Sequence, residues 1–171
     1  GVAKNAADVG DRVDKLSQKI GLSRQGFQEW EYILSQNGTS IEVLQGGMKK
    51  LNKTMDDAKN GSKGAAESFA RVGLSIDDIK KMNPEQAFEA TVKALQTMPE
   101  GAEKAALANE LLGRSGSELM PLLNGSAESV EALKQQAHDL GIVMSDDAVG
   151  ASATFTDTLD NLQRSFGAVV A

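Results

Sequence analysis

Residues 107–125 read Leu107-Ala-Asn-Glu-Leu-Leu-Gly-Arg-Ser-Gly-Ser-Glu-Leu-Met-Pro-Leu-Leu-Asn-Gly125. The apolar end of one helix runs into Gly113, a residue that can adopt the left-handed backbone found at helix ends. Ser115 and Glu118 have the spacing of a capping box that would begin a second helix. Because Pro121 has no N–H to donate, that second helix is expected to be short or bent. The stretch therefore predicts a helix–turn–helix corner.

Glycines that can end helices recur along the rest of the chain, at Gly21, Gly38, Gly61, Gly73, Gly125 and Gly141. Each is followed closely by a Ser, Thr or Asn that can cap the next helix. No segment combines period-two alternation with enrichment in β-branched residues, which is the pattern of a strand. The sequence thus predicts an all-α fold, in which short capped helices lead into a longer C-terminal helix with coiled-coil character.

Several local signals place the helix starts. Three apolar pairs have the spacing of a hydrophobic staple around a serine cap: Leu22 with Phe27, Leu74 with Ile79, and Met144 with Val149. Thr39 and Glu42 have capping-box spacing, and Asn83-Pro84 combines a cap with proline at the first helical position. Together these signals predict where five of the helices begin.

The third predicted helix carries an apolar stripe at alternating steps of three and four, at Ile41, Leu44, Met48, Leu51 and Met55. A place in the intramolecular core is the favoured interpretation of this stripe. Gly46 and Gly47 interrupt the helix and weaken it by ~1 kcal/mol each relative to alanine. They would permit a bend or the close approach of another backbone.

The C-terminal segment carries a second stripe, at Phe155, Leu159, Leu162 and Phe166. A helix over residues 146–167 would be ~33 Å long, and we expect it to begin a rod that self-associates through this stripe. The polar residues 56–63 suggest a boundary. We therefore expect N-terminal helical hairpins at 1–60, a compact multi-helix region at 61–144, and the start of the rod at 145–171. Both chain ends have the character of cuts within a longer protein.

The corner also carries a family resemblance. The run Leu111-Leu112-Gly113-Arg114-Ser115-Gly116, followed by Leu119, Pro121, Leu122 and Leu123, resembles a segment that recurs in tail tape measure proteins of long-tailed bacteriophages. The family often has an aromatic residue at the position of Leu112, so this copy departs mildly. Flanking pieces are similar too, and the likeness covers roughly residues 7–167.

The resemblance implies a mostly helical virion protein that sets tail length during assembly and leaves the tail when DNA is ejected. It also implies a location in the tail lumen, and in the host cytoplasm during assembly. Tail tube proteins and tail assembly chaperones would be its partners. None of these properties follows from composition or spacing.

Composition excludes several classes of function. The net charge of −6 argues against direct binding to nucleic acid and to anionic membrane surfaces. The chain has no cysteine, and His138 is its only histidine, so no transition-metal site is expected. We expect His138 to lie on the surface, and the sequence predicts no cofactor.

The candidate catalytic residues have simpler interpretations. Glu29 and Glu31 flank Trp30, but side chains two positions apart on a helix point about 200° apart, so they cannot form the facing pair of a glycosidase. Trp30 is expected in the core. The acidic pairs Asp77-Asp78 and Asp146-Asp147 suit the first turns of helices. The sequence therefore predicts no enzyme activity.

Arg114 allows two interpretations. The favoured one is a contact with carbonyl groups at the helix end or with a nearby acid, and the other is a contact with a partner protein. Two alternatives to a tape measure role also stay open. One is a stand-alone helical adaptor that binds a partner helix in a groove, and the other is a cell-wall-degrading module.

Overall fold

A computed structural model of the chain describes the backbone of residues 2–151 and 157, and the side chains of residues 7–151 and 157. Within those residues the fold is all-α, as predicted. The helices are α1 (Val2–Ile20), α2 (Arg24–Gln36), α3 (Ile41–Lys59), α4 (Lys63–Arg71), α5 (Ile76–Lys81), α6 (Pro84–Thr97), α7 (Ala102–Leu112), α8 (Ser115–Glu118), α9 (Met120–Leu123) and α10 (Ala127–Asp139). Residues 146–151 are also helical.

Most predicted helix starts are confirmed. The Ser23 side chain caps α2 by accepting from the Gly26 N–H, and Ser75, Asn83 and Ser126 each form a reciprocal capping box. The Ser145 hydroxyl accepts from the Ala148 N–H at the helical turns that follow α10. These caps satisfy backbone donors that the first helical turn leaves without an intrahelical partner.

Two predicted caps are wrong. Ser40, not Thr39, precedes α3 and makes no side-chain cap, while Thr39 Oγ1 is buried without a hydrogen-bond partner. Ser115 is already the first residue of α8, and no capping box forms with Glu118. In the second case the turn between α7 and α8 is only two residues long, Gly113 and Arg114, so Ser115 already lies inside α8.

A single apolar core extends from Val13 on α1 to Val149 beyond α10. The predicted stripe of α3 is buried, and α3 packs against helices on both sides of residue 60, including α2, α4, α6 and α7. The described residues of the three segments proposed from the sequence, up to Val149 in the third, therefore share one core across residues 60 and 144. On α1, Ala7, Val13 and Ile20 are buried, whereas Val9 is 51% exposed.

The backbone is tightly packed at the corner after α7. Gly113 has φ +64°, a value that favours glycine, and a Cβ on Gly116 would lie 2.6 Å from the Ala108 carbonyl oxygen. On the other side, Cβ atoms on Gly46 and Gly47 would lie 2.9 and 3.4 Å from Ser115. Three glycines thus allow α8 to fit between α7 and α3, and the atoms closest to Gly46 and Gly47 belong to side chains rather than to another backbone.

A second long-range contact joins α2 to α6. The Glu85 carboxylate accepts from the Ser23 N–H at 2.9 Å and from the Ser23 hydroxyl at 3.1 Å. A Cβ on Gly26 would lie 1.9 Å from Glu85 Oε1, so glycine makes room for this carboxylate. A negative charge is also favoured at the N-terminus of α2.

The C-terminal stripe of Phe155, Leu159, Leu162 and Phe166 lies outside the described residues. Nearby, Val149 is buried in the core and Asp157 lies 3.7 Å from the Lys15 ammonium group on α1. Among the described helices, none combines the length and the apolar character that spanning a membrane requires.

We expect Gly116→Ala to destabilise the fold by about 3 kcal/mol or more, because its Cβ would clash with main-chain atoms of α7 that cannot rotate away. Gly64→Ala is the matched control. Gly64 is helical, has no atom within 4 Å of a built Cβ, and should become more stable by up to ~1 kcal/mol. Urea unfolding of both variants measures the difference, and equal stabilities would contradict the packing described for Gly116.

Candidate functional site: Arg114 and its surroundings

Arg114 lies at the exposed tip of the corner, immediately before α8. Its side chain makes no hydrogen bond or ion pair with any described residue, so the predicted contact with carbonyl groups or an acid is wrong. The other arginines in the described part of the chain are paired. Arg12 binds Glu31 at 2.6 Å, Arg24 binds Asp14 at 2.5 Å, and Arg71 contacts Glu103 and Glu110 at 3.5 Å.

Helix α3 packs against the turn that bears Arg114. A Cβ on Gly113 would lie 3.3 Å from Lys50 Cγ, so the aliphatic part of Lys50 runs beneath the turn. Lys49 is exposed beside it on the same helix. Neither lysine has a carboxylate within ion-pair distance among the described residues. Arg114 and Lys50 therefore lie at one exposed turn, with Lys49 next to Lys50 on α3, in a chain whose net charge is −6.

A polar pocket with a volume of about 460 Å³ lies on the other side of Lys50, between α3, α4 and α7. Its walls include Asp57, Glu67 and Glu110. Glu110 accepts hydrogen bonds from the Ser68 hydroxyl at 3.0 Å and from Arg71 at 3.5 Å. The pocket thus presents three carboxylates alongside Lys50 and Arg71, and it lies at the edge of the surface formed by Lys49, Lys50 and Arg114.

A polar contact between α2 and α10 involves the residue that the sequence placed on the surface. His138 is exposed as expected, but its Nε2 lies 2.5 Å from Oε2 of the buried Glu29, which also accepts from Gln25. Because an unpaired buried carboxylate is costly, this contact stabilises the docking of α10. Periodicity could not reveal it, since the two residues are 109 positions apart.

Trp30 is buried, as predicted, and its ring packs edge-on against Phe88 with centroids 5.0 Å apart. Glu29 and Glu31 point to different partners, His138 and Arg12 respectively.

Glu89 borders a crevice beside Trp30, and burial raises the pKa of this carboxyl. The crevice has a volume of about 20 Å³, enough for about one water molecule. It is too small in this form for a sugar.

The exposed apolar side chains of α1 and of the segment after α10 meet at a groove of about 260 Å³. Val9 and Ile142, which are 51% and 42% exposed, line it together with Tyr32. The ion pair between Arg12 and Glu31 lies at its edge. Exposed apolar residues that gather at one groove can mark an interaction site.

The remaining sequence candidates have local roles. Asp78 accepts from the Ser75 N–H at 2.9 Å, a hydrogen bond that lowers the pKa of its carboxyl and completes a capping box. Among residues 7–151 and 157, no group of three or more His, Asp or Glu side chains is arranged to hold a metal ion.

The cluster at Glu29 and the corner at Arg114 therefore differ in kind. The first holds helices together, whereas the second presents a charged group that the fold itself does not use.

No protein-family model, curated protein or solved structure matches the chain.

We expect Glu89→Gln to raise the free energy of unfolding at pH 7 by less than about 1 kcal/mol, since the group is only half-buried. The folded-state pKa of Glu89 is raised by burial, so its carboxyl favours the fold below the ordinary glutamate pKa and loses that contribution as the pH rises through the folded value. The gain of the variant should therefore disappear below about pH 4. Glu100→Gln, at an exposed position, is the control, and an equal gain there would contradict the burial effect.

Proposed function

We propose that the chain is a structural segment of a phage tail tape measure protein. In this role the whole protein sets tail length during assembly and is expelled when DNA leaves the virion. The resemblance of residues 111–123 and their flanks to that family is the starting point of the proposal. The all-α fold, with its short capped helices, agrees with what the resemblance implies.

The observation that carries the proposal is the role of the resembling segment in the fold. Leu111, Leu112, Leu119, Leu122 and Leu123 are all buried. Gly113 and Gly116 occupy positions where a side chain would be strained or would clash with the backbone. A pattern whose members are constrained together by packing is a better guide to a shared fold than a pattern of unconnected surface residues.

The proposal places the protein in the tail lumen, and in the host cytoplasm during assembly, with tail tube and tail assembly chaperone proteins as partners. Self-association is expected through the stripe of Phe155, Leu159, Leu162 and Phe166. Asp157 contacts Lys15 on α1. On a continuous helix the stripe positions would lie about 140–200° from Asp157. Such a helix would direct the stripe away from α1 and toward a second copy.

The groove lined by Val9, Tyr32 and Ile142 favours a second candidate function. A helical adaptor could accept the apolar face of a partner helix there. A compact monomer of this length should have a radius of gyration of ~15–16 Å. X-ray scattering therefore separates the two candidates, because a rod-forming chain should give a value well above that of a compact monomer.

We expect tail length to respond to an in-frame insertion of 70 heptad-patterned residues, placed directly after the codon for Ala171 in the phage gene that encodes this chain. The phage tails should become roughly 105 Å longer, at 1.5 Å per helical residue. Electron microscopy of purified particles gives the tail length. An insertion of 35 residues should produce half the increase. Particles of unchanged length that contain the longer protein would contradict the proposal.

We also expect Leu159→Asp combined with Leu162→Asp to abolish self-association of the 171-residue chain in sedimentation equilibrium, because two charges would lie in the apolar contact. Asn161→Asp combined with Ala168→Asp adds the same charge away from the stripe and should leave association unchanged. Monomeric behaviour of the unsubstituted chain, or equal association of both variants, would contradict a contact through the stripe.

A further inference from the structure

We infer that Arg114, together with Lys49 and Lys50, forms a docking surface for an acidic segment of a partner protein. The starting observation is that Arg114 has no carboxylate partner in the described part of the chain, whereas Arg12, Arg24 and Arg71 each have at least one.

The local carboxylates do not account for Arg114. Glu110, four positions before it, is occupied by Ser68 and Arg71. Glu118, four positions after it, is exposed and makes no ion pair with it. An arginine that precedes a glutamate by four positions is in the less favourable order for a helical pair. The guanidinium group is therefore available to another molecule.

The packing of the corner fixes the position of the backbone that bears Arg114. Gly113 lies against the aliphatic part of Lys50, and Gly46 approaches Ser115 so closely that a Cβ there would be 2.9 Å from its hydroxyl oxygen. These contacts join the turn that bears Arg114 to the face of α3 that bears Lys49 and Lys50. The three cations are thus carried by α3 and by a two-residue turn whose backbone is packed against it, an arrangement that reduces the backbone entropy lost on binding.

The charge distribution favours a short acidic peptide as the ligand. A guanidinium group binds a carboxylate through two parallel hydrogen bonds, and two lysines nearby add attraction without fixed geometry. A long polyanion such as nucleic acid would also meet the carboxylates of Asp57, Glu67 and Glu110 around the adjacent pocket. The negative net charge of the whole chain opposes it further.

The experiment measures the fluorescence anisotropy of a fluorescein-labelled hexaglutamate peptide titrated with the full chain at low salt. Because hydrogen bonds between charged groups are the stronger ones, we expect Arg114→Ala to weaken binding about tenfold or more. The affinity of Arg114→Lys should lie between those of the unsubstituted chain and Arg114→Ala, since lysine keeps the charge and loses the paired hydrogen bonds. Lys80→Ala, which removes an exposed cation on α5, is the control and should bind normally.

Thermal unfolding of the same variants separates binding from folding, because the exposed Arg114 side chain makes no hydrogen bond or ion pair with the described residues and its removal should leave Tm unchanged. The inference is overturned if the unsubstituted chain shows no saturable binding of the peptide. It is also overturned if Arg114→Ala binds the peptide with the same affinity as the unsubstituted chain. Equal or tighter binding of a 20-nucleotide deoxythymidine strand would also overturn it. The inference goes beyond the tape measure proposal, and its failure would leave the tail-length experiment unaffected.

Discussion

The approach of Gly116 to the main chain of Ala108 is the constraint on which the rest of the structure depends. It lets α8 pack on α7 with no side chain between them. It also brings α8 onto the glycine-bearing face of α3. Because α3 packs on helices from both halves of the chain, the position of this corner determines how the two halves share one core.

Most residues of the corner serve this packing, whereas Arg114 does not take part in it. The leucines fill the core, and the two glycines permit the turn and the close helix contact. Arg114 contributes to neither, although it lies between them. The corner thus combines a rigid framework with one exposed cation, a suitable arrangement for recognition because the binding group is held by elements that do not have to rearrange.

The sequence predicted features that depend on neighbours along the chain. Caps such as Ser75 and Asn83, and the buried stripe of α3, arise from interactions within a few residues and leave a readable pattern. Features that depend on distant pairs were missed. The contact of Glu29 with His138 joins residues 109 positions apart. The hydrogen bond between Glu85 and Ser23 joins residues 62 positions apart. The same limit explains the unpaired Arg114, since the acid expected near it is bound by Arg71 of another helix.

Native-state hydrogen exchange tests the central claim most directly. If the Gly116 contact holds α3, α7 and α8 as one unit, amides of the corner and of the α3 core should exchange only through global unfolding, with equal free energies of opening that fall together in urea. Exchange of the amides of residues 113–123 at a clearly lower free energy than those of α3 would contradict the account, because the corner would then open on its own while the rest of the core stayed folded.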